Sequence, residues 1–338
     1  SGVAGVCSVI PAAGNGPTLN PGSGNVVTLA QNNTVRGLNL SSTGATALIG
    51  NSFGNATIDS VGVTATGSGS TGINLNTGGG TFSFSSVATN GGVNGINLNG
   101  VSATSFAVTG DGSTATQGGN DSGGIIQNTT GDGVVLTSST NVTLQNMTIG
   151  NPAATAANGP TATAGIADDG IQATSVTGLT LNNVTIAETG KHGVYGTNLT
   201  NFVMNDSLIL NAGNGNEENA LFFSELRGDN FIRRSLLDAF NESGLEIQNL
   251  SGSVDITVDD TTFQDNKLTV GNFGSQAILI VAGGSAQVTA LVTGTAGLTT
   301  KSIFDDLAIN AIHAISEGTS SSIQLTVENT RILETSAG

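Results

Sequence analysis

The chain has 338 residues, 50 of them glycine, and only 9% are charged, with 8 Lys and Arg against 24 Asp and Glu. The net charge of −16 argues against nucleic acid or an anionic membrane surface as partner, because phosphate binding needs clustered basic side chains. Apolar residues recur in short alternating runs, which a disordered chain of this Gly, Ser, Thr and Asn content would lack. With 4% aromatic residues, the core has to be built mainly from small and β-branched side chains.

The termini and the cysteine content give further limits. No run approaches the ~20 apolar residues of a membrane-spanning helix, so we expect no membrane insertion by this segment. Cys7 is the only cysteine, which excludes an internal disulfide. The first residues lack a signal-peptide pattern, and we expect the segment to belong to a longer polypeptide with flanking domains.

In chain order, residues 1–33 are rich in Gly, Pro and Asn and predict a lead-in or a partial first coil. Repeat units then fill residues 34–333, and we predict a single domain over residues 1–338. Four stretches of small, polar residues lengthen individual units. We predict loop excursions near residues 111–123, 152–165, 267–276 and 295–310.

Two units show the repeat most clearly, GDGVVLTSSTNVTLQNMTIGN from Gly131 and DDGIQATSVTGLTLNNVTIAE from Asp168. Each reads as three short strands separated by polar turns, because apolar residues alternate with period 2 inside each run. Gly170 and Gly193 begin equivalent strands 23 residues apart. A period in the low twenties with three strands per unit predicts a parallel β-helix, in which each strand pairs with its equivalent one coil along.

The competing fold classes fit the composition less well. A helical protein is disfavoured, since Gly is frequent and Val, Thr and Ile fill the periodic runs. Folds built from hairpins need Asn-Gly turns between adjacent strands, whereas Asn94-Gly95 and Asn158-Gly159 lie at unit junctions. We therefore predict an all-β, single-stranded parallel β-helix with coils of about 23 residues.

The two units quoted above, together with GLEIQNLSGSVDITVDDTTFQDN, resemble the right-handed parallel β-helix repeats of long bacterial surface and secreted proteins, including adhesin-like and autotransporter-passenger chains. The resemblance covers residues 34–333 and implies a right-handed coil located outside the cell or on the bacterial cell surface. It implies a glycan, or a host or neighbouring cell-surface protein, as partner. Polysaccharide lyases, glycoside hydrolases and structural stalks share the repeat, so the resemblance selects no reaction.

Candidate catalytic residues emerge when the units are aligned on the Gly that begins each first strand. Asp132, Asp169 and His192 then fall in one column, with Asp168 beside it. Paired aspartates and a Gly-His-Gly element on successive coils are found in polygalacturonase-like hydrolases, which Asp168-Asp169 and His192-Gly193 resemble. Column neighbours would lie ~4.8 Å apart and next-nearest ones roughly 10 Å apart, a range that includes the carboxylate separations of both retaining and inverting glycosidases. These four residues are the candidates for a polysaccharide hydrolase or lyase.

Turn chemistry predicts the same column, because Asp accepts hydrogen bonds from nearby backbone N–H groups and Gly adopts positive φ. The chain has Lys191-His192-Gly193 in place of Gly-His-Gly, and the family's Asn-Thr-Asp and Arg-x-Lys elements are missing. Among the first strands, Tyr195 is the only aromatic residue that this alignment offers. The sequence therefore favours a rigid stalk or adhesin module with a binding surface for glycan or protein, with the enzyme as alternative.

No cofactor is predicted, and Ca²⁺ is the alternative. Asp255, Asp259 and Asp260, together with Asp305-Asp306, offer the oxygen ligands that Ca²⁺ prefers. Since the sequence has no EF-hand or nonapeptide calcium pattern, we favour solvated surface carboxylates.

Two further patterns have a structural and a binding interpretation. The tripeptide Arg227, Gly228, Asp229 is one that integrins recognise, and we favour a turn whose charges are solvated or paired. Equivalent turns carry asparagines that predict stacked amide ladders, each side chain donating to the next. These are Asn146, Asn183 and Asn205, with Asn249 and Asn266 in related turns.

Overall fold

The computed structural model describes residues 16–152, 165–266, 276–295, 302–305, 307 and 310–333. Regular structure in these residues consists of β-strands, which pair in parallel to form one continuous 30-stranded sheet system. No helix in this part of the chain is long and apolar enough to cross a membrane. The predicted all-β fold class is confirmed, and the chain is a parallel β-helix.

The bounds of the strands show the repeat directly. In chain order they are β1 (Thr18–Leu19), β2 (Val27–Leu29), β3 (Thr34–Arg36), β4 (Asn39–Thr43), β5 (Thr46–Asn51), β6 (Asn55–Thr66), β7 (Thr71–Asn90), β8 (Ile96–Val108), β9 (Gly124–Gln127), β10 (Val134–Thr137), β11 (Thr140–Gln145), β12 (Met147–Gly150), β13 (Ile171–Thr174), β14 (Thr177–Asn182), β15 (Thr185–Thr189), β16 (Val194–Thr197), β17 (Thr200–Asn205), β18 (Leu208–Ala212), β19 (Leu221–Ser224), β20 (Gly228–Arg233), β21 (Leu236–Asp238), β22 (Leu245–Asn249), β23 (Ser253–Asp259), β24 (Thr262–Gln264), β25 (Gln276–Ala282), β26 (Gln287–Thr293), β27 (Ser302–Asp305), β28 (Asn310–Ser316), β29 (Ser322–Val327) and β30 (Thr330–Ile332).

Each coil contributes one strand segment to each of three parallel sheets. The first sheet contains β10, β13, β16, β19, β22 and β25, the second β11, β14, β17, β20, β23 and β26, and the third β12, β15, β18, β21, β24 and β27. Ile171 pairs with Val194, 23 residues later, whereas Leu245 pairs with Ile278, 33 residues later. In the longer of these two coils the extra residues therefore lie in the turns, and the register of the paired strands is kept.

Alternation decides which side chains enter the core. In β10 and β13 every second residue is buried, and the inward side chains are aliphatic: Val134, Leu136, Ile171 and Ala173. Larger rings need a small residue on the neighbouring coil. The Phe223 side chain points from β19 into the core, and a Cβ added to Gly196 on the preceding coil would lie 2.6 Å from its ring. Gly196 thus leaves the space that a Phe on the next coil fills.

The predicted lead-in and excursions have different outcomes. In the lead-in, β1 pairs with β4 and β2 with β5, whereas residues 1–15 lie outside the described part. Residues 153–164 and 267–275, which make up most of two predicted excursions, also lie outside it. The excursion over 295–310 needs a correction, because β27 lies within it and pairs with β24 and β30. The alternating Ser-Ile-Phe-Asp run is the third strand of its coil.

Residues 111–123, the strap, leave the coils and run along the turns between the second and third sheets. These turns carry Asn146, Asn183, Asp206 and Arg234, the covered column, all at positive φ. Gly118 donates its backbone N–H to the carbonyl of Asp206 at 2.8 Å. The Gln117 side chain donates to the carbonyl of Arg234 at 2.7 Å. The strap therefore spans four successive coils.

The predicted amide ladder needs a correction. Asn146 and Asn183 donate to strap carbonyls, those of Ser113 at 2.8 Å and Thr116 at 2.7 Å. An amide pair does form one residue before the covered column, where the Asn205 side chain donates to that of Asn182 at 2.9 Å.

The two asparagines of the related turns also bond to main chain. Asn249 donates to the carbonyl of Leu226 at 2.7 Å, and Asn266 donates to that of Glu242 at 2.9 Å. Asn side chains here satisfy backbone groups more often than they pair with each other.

Candidate functional site

Asp132, Asp169, His192 and Asn219, the acidic column, occupy equivalent turn positions just before first-sheet strands. Asp132 Oδ1 accepts the backbone N–H of Asp169 at 3.0 Å, and Asp169 Oδ1 accepts that of His192 at 3.0 Å. His192 Nδ1 in turn accepts the N–H of Asn219 at 2.9 Å. The structure thus brings the predicted residues together, with side-chain-to-backbone hydrogen bonds linking each coil to the next.

The glycines that follow the column allow close approach of adjacent coils. A Cβ on Gly170 would lie 2.5 Å from the carbonyl oxygen of Gly193, and one on Gly193 would lie 2.6 Å from that of Ala220. Neither glycine has positive φ, so that part of the turn argument was wrong. Glycine is required here because no side chain fits between the coils.

Asp168 lies beside the column in a different environment from Asp169. Its side chain is 36% exposed, and Oδ1 is 2.5 Å from the ammonium nitrogen of Lys191. Asp169 is only 5% exposed, and burial raises its pKa from 3.8 to about 7. The hydrogen bond from His192 lowers the pKa of Asp169, while the charges of Asp132 and Asp168 add to the rise. Two carboxyl groups adjacent in the chain therefore lie in different surroundings, one ion-paired with Lys191 and the other buried with a raised pKa.

His192 is neutral in this site. Burial, together with a smaller effect of the nearby Lys191 charge, lowers its pKa from 6.5 to about 4. Because Nδ1 accepts a hydrogen bond, the ring proton is assigned to Nε2. His192 consequently contributes an aromatic ring and a fixed tautomer, with no positive charge.

An aromatic cluster adjoins the carboxylates. Tyr195 and Phe222 are register partners, and their rings lie 5.3 Å apart and 5° from parallel. The His192 ring lies 5.2 Å from Tyr195 and 5.4 Å from Phe222. The prediction of a single aromatic residue on the first strands was wrong, because Phe222 also faces outward from β19. Ala220 stands where other units have Gly, so an alignment on Gly passes over this strand.

Glu246 extends the site by one more coil and was not predicted. It pairs with Phe222, and its carboxylate accepts hydrogen bonds from Asn219, at 3.0 Å, and from Gln248. Burial raises the pKa of Glu246. Asn219 thus connects the acidic column to a second buried carboxyl group on the face of the first sheet.

The acidic cluster includes the residues best placed to share a cation. One ligand oxygen from each of Asp132, Asp168 and Asp169 lies within 4.8 Å of the others, a grouping unique within the described ranges. Lys191 already supplies a positive charge at Asp168, and its own pKa is raised by that hydrogen bond.

The predicted calcium ligands are not brought together. Asp255 and Asp259 lie four residues apart along β23, a distance of ~13 Å. The Asp260 carboxylate accepts both the N–H and the hydroxyl of Thr295, at 2.8 and 2.7 Å. Asp305 lies on β27, and Asp306 falls outside the described residues.

The Arg-Gly-Asp tripeptide lies along a strand edge. Arg227 forms an ion pair with Glu225 and donates to Ser251 at 3.0 Å. Gly228 and Asp229 already belong to β20, and Asp229 is exposed. Arg227 is therefore paired and Asp229 is solvated, and the tripeptide forms no protruding loop.

Comparison with known proteins adds little. A scan against protein-family models finds no match, and neither does a search of curated proteins. Among solved structures, the chain is similar to the catalytic domain of a GH87 alpha-1,3-glucanase in complex with nigerose, with a TM-score of 0.29 and 10% identity. The match covers 92% of this chain and 62% of that one, so this chain spans less than two thirds of its length. A likeness at this level carries no argument about activity.

Proposed function

We propose that the protein is a polysaccharide-degrading glycoside hydrolase that acts at Asp168 and Asp169. The observation that carries the proposal is the proximity of a half-buried carboxylate, Asp168, ion-paired with Lys191, to a buried carboxyl group, Asp169, whose pKa is about 7. Glycoside hydrolysis uses two carboxyl groups whose environments hold one protonated and one ionised. Adjacent aromatic side chains, Tyr195 and Phe222, supply the apolar surface that sugar rings need.

The geometry assigns a role to each group. Asp169 uses Oδ1 to accept the His192 N–H, which leaves its second oxygen to carry a proton. In the proposed reaction, that proton passes to the glycosidic oxygen as the bond to the anomeric carbon breaks. The Asp168 carboxylate, ion-paired with Lys191, takes a proton from the attacking water as the water oxygen bonds to the anomeric carbon, so the proton that Asp169 gives up is balanced by the one that Asp168 gains. Asp132 holds the backbone of Asp169 in place.

The test compares the two proposed catalytic aspartates with an aspartate of the covered column. Asp168→Asn and Asp169→Asn should each lower reducing-sugar release from a panel of polysaccharides by about 100-fold or more, since each removes an acid or base group. Asp206→Asn, in the covered column, should retain wild-type activity. An Asp169→Asn protein that degrades its polymer at the wild-type rate would rule out the mechanism.

A rigid binding module is the second candidate. It is favoured by the hydrogen bonds themselves, because Asp132, Asp169 and His192 each bind main chain on the next coil and so have a structural role. In this alternative, the β-helix belongs to a secreted or cell-surface bacterial protein and serves as a stalk or adhesin for glycan or protein. Binding of a polymer by the wild type, with no release of reducing sugar, would favour it over the hydrolase.

A further inference from the structure

The outward face of the first sheet indicates what kind of polymer fits, and this inference rests on the proposed glycan-directed function. We infer that the bound polymer is an uncharged polysaccharide lying along this face, and that acidic polymers such as polyuronates are excluded. The outward side chains of β10, β13, β16, β19 and β22 form two rows. They are Val135, Gln172, Tyr195, Phe222 and Glu246 in one row, and Thr137, Thr174, Thr197, Ser224 and Gln248 in the other.

These rows offer the contacts that a neutral sugar chain uses. Hydroxyl and amide groups both donate and accept hydrogen bonds, as sugar hydroxyls do. The aromatic pair, Tyr195 and Phe222, adds apolar contact in the middle of the face. Equivalent side chains repeat every ~4.8 Å along the axis, so a polymer lying along the coils meets the same chemistry at each step.

The charges near the face oppose an acidic polymer. Outward positions of these five strands include one carboxylate, Glu246, which is only 6% exposed, and no cation. At the edge of the face, Lys191 is ion-paired with Asp168, and Arg227 is paired with Glu225. A uronate chain would bring negative charge beside these carboxylates, and the described residues of the face supply no free basic group to offset it. A neutral chain meets no such repulsion.

Affinity electrophoresis in native gels tests the inference. Neutral probes are an α-glucan, a β-glucan, a xylan and a galactomannan, and charged probes are polygalacturonate and chitosan. We expect at least one neutral polymer to retard the wild type equally at low and high salt. Neither charged polymer should cause retardation that is equal at low and high salt. Tyr195→Ala and Phe222→Ala should weaken that retardation about 10-fold.

Phe231→Ala is the matched control. Phe231 faces outward on the second sheet of the same coil as Phe222, with the Arg233 guanidinium 3.8 Å above its ring. Its removal should leave retardation unchanged, and thermal unfolding of all three variants would show whether they remain folded.

The outcomes separate this inference from the proposed hydrolysis. Retardation by polygalacturonate would overturn the inference. Retardation by chitosan with no retardation by a neutral polymer would also overturn it, as would no retardation by any neutral polymer. Reducing-sugar release from polygalacturonate would overturn the inference and leave the hydrolase standing. Retardation by a neutral polymer without release of reducing sugar would support the inference and remove the hydrolase.

Discussion

The acidic column and the covered column are two polar ladders on one solenoid, and the chain satisfies them differently. In the covered column, the strap provides main-chain acceptors for Asn146 and Asn183, and Arg234 neutralises Asp206. The acidic column and Asp168 together hold three carboxyl groups within 4.8 Å, with Lys191 as the adjacent cation.

This difference indicates which of the two columns is the candidate for catalysis. Each oxygen that accepts a backbone N–H in the acidic column stabilises the coil stacking, yet the pKa values of Asp132 and Asp169 remain raised by burial. Strongly perturbed carboxyl groups beside an exposed partner are typical of catalytic sites. Turn chemistry alone accounts for the hydrogen bonds of both columns. The excess of three carboxyl groups over one cation, Lys191, makes the acidic column the functional candidate.

The largest expected effect is on the pH dependence of hydrolysis. Asp169 has a pKa of about 7 and must be protonated to act as the acid, so initial rates should fall about tenfold per pH unit above that value. Measurements of reducing-sugar release across the neutral and alkaline range test this. A rate that stays constant well above pH 7 would show that another group donates the proton.

Asp169→Asn should also change stability in a pH-dependent way. The folded pKa of Asp169, about 7, lies above its unfolded value of 3.8, so wild-type stability is lost as pH rises between these values. The loss amounts to at most ~4 kcal/mol. Asn cannot ionise and can still accept the His192 N–H, so the variant should be more stable than the wild type at pH 8. Denaturant unfolding measures the difference, and Asp206→Asn is the control that should show no such gain.

His192→Gln should reveal the opposite slope. The folded pKa of His192, about 4, lies below the unfolded value of 6.5, so its contribution is present above pH 6.5 and lost as pH falls towards 4. This contribution is ~3 kcal/mol and opposes that of Asp169 over the same interval. Stability should therefore fall with rising pH in His192→Gln and rise with pH in Asp169→Asn. Parallel pH profiles for the two variants would contradict the assignment of both groups.

The strap gives the next effect. Gly119 has φ +85°, and a Cβ there would lie 2.2 Å from the carbonyl oxygen of Asn183. Gly119→Ala should cost about 3 kcal/mol of unfolding free energy, because a positive φ and a backbone clash combine. Gly112→Ala is matched in φ, at +75°, but has open space around the added methyl group, so it should cost about 1 kcal/mol. Equal losses would mean that the strap does not press against the covered column.

The sequence predicts the coil and the column well, because both depend on local rules. Alternation in runs such as GVVL sets which side chains enter the core, and a turn position that recurs before each first strand aligns Asp132 with Asp169. Residues that depend on contacts between coils are harder to predict. Phe222 lies 27 residues after Tyr195, since the intervening turn is longer, and Ala220 replaces the Gly that anchors other units.

The course of the strap lies beyond sequence reasoning for a similar reason. Its composition predicts an excursion, but Gln117 bonds to Arg234, 117 residues away. Small polar residues such as these carry no periodicity to indicate a partner. Protonation states are also set by burial, which the sequence does not report. Asp168 and Asp169 are chemically identical neighbours, and only the fold distinguishes them.

The smallest expected effects come from removing the cation beside each column, Lys191 at the acidic column and Arg234 in the covered column. Arg234 and Lys191 both form exposed ion pairs, with Asp206 and Asp168, so Arg234→Ala and Lys191→Ala should each cost less than about 1 kcal/mol of stability. Their effects on catalysis should differ. The Lys191 charge lowers the pKa of Asp169, so its removal should move the falling limb of the pH–rate profile to higher pH. Arg234→Ala should leave that limb in place, and an equal shift in both variants would show that the two columns are not electrostatically distinct.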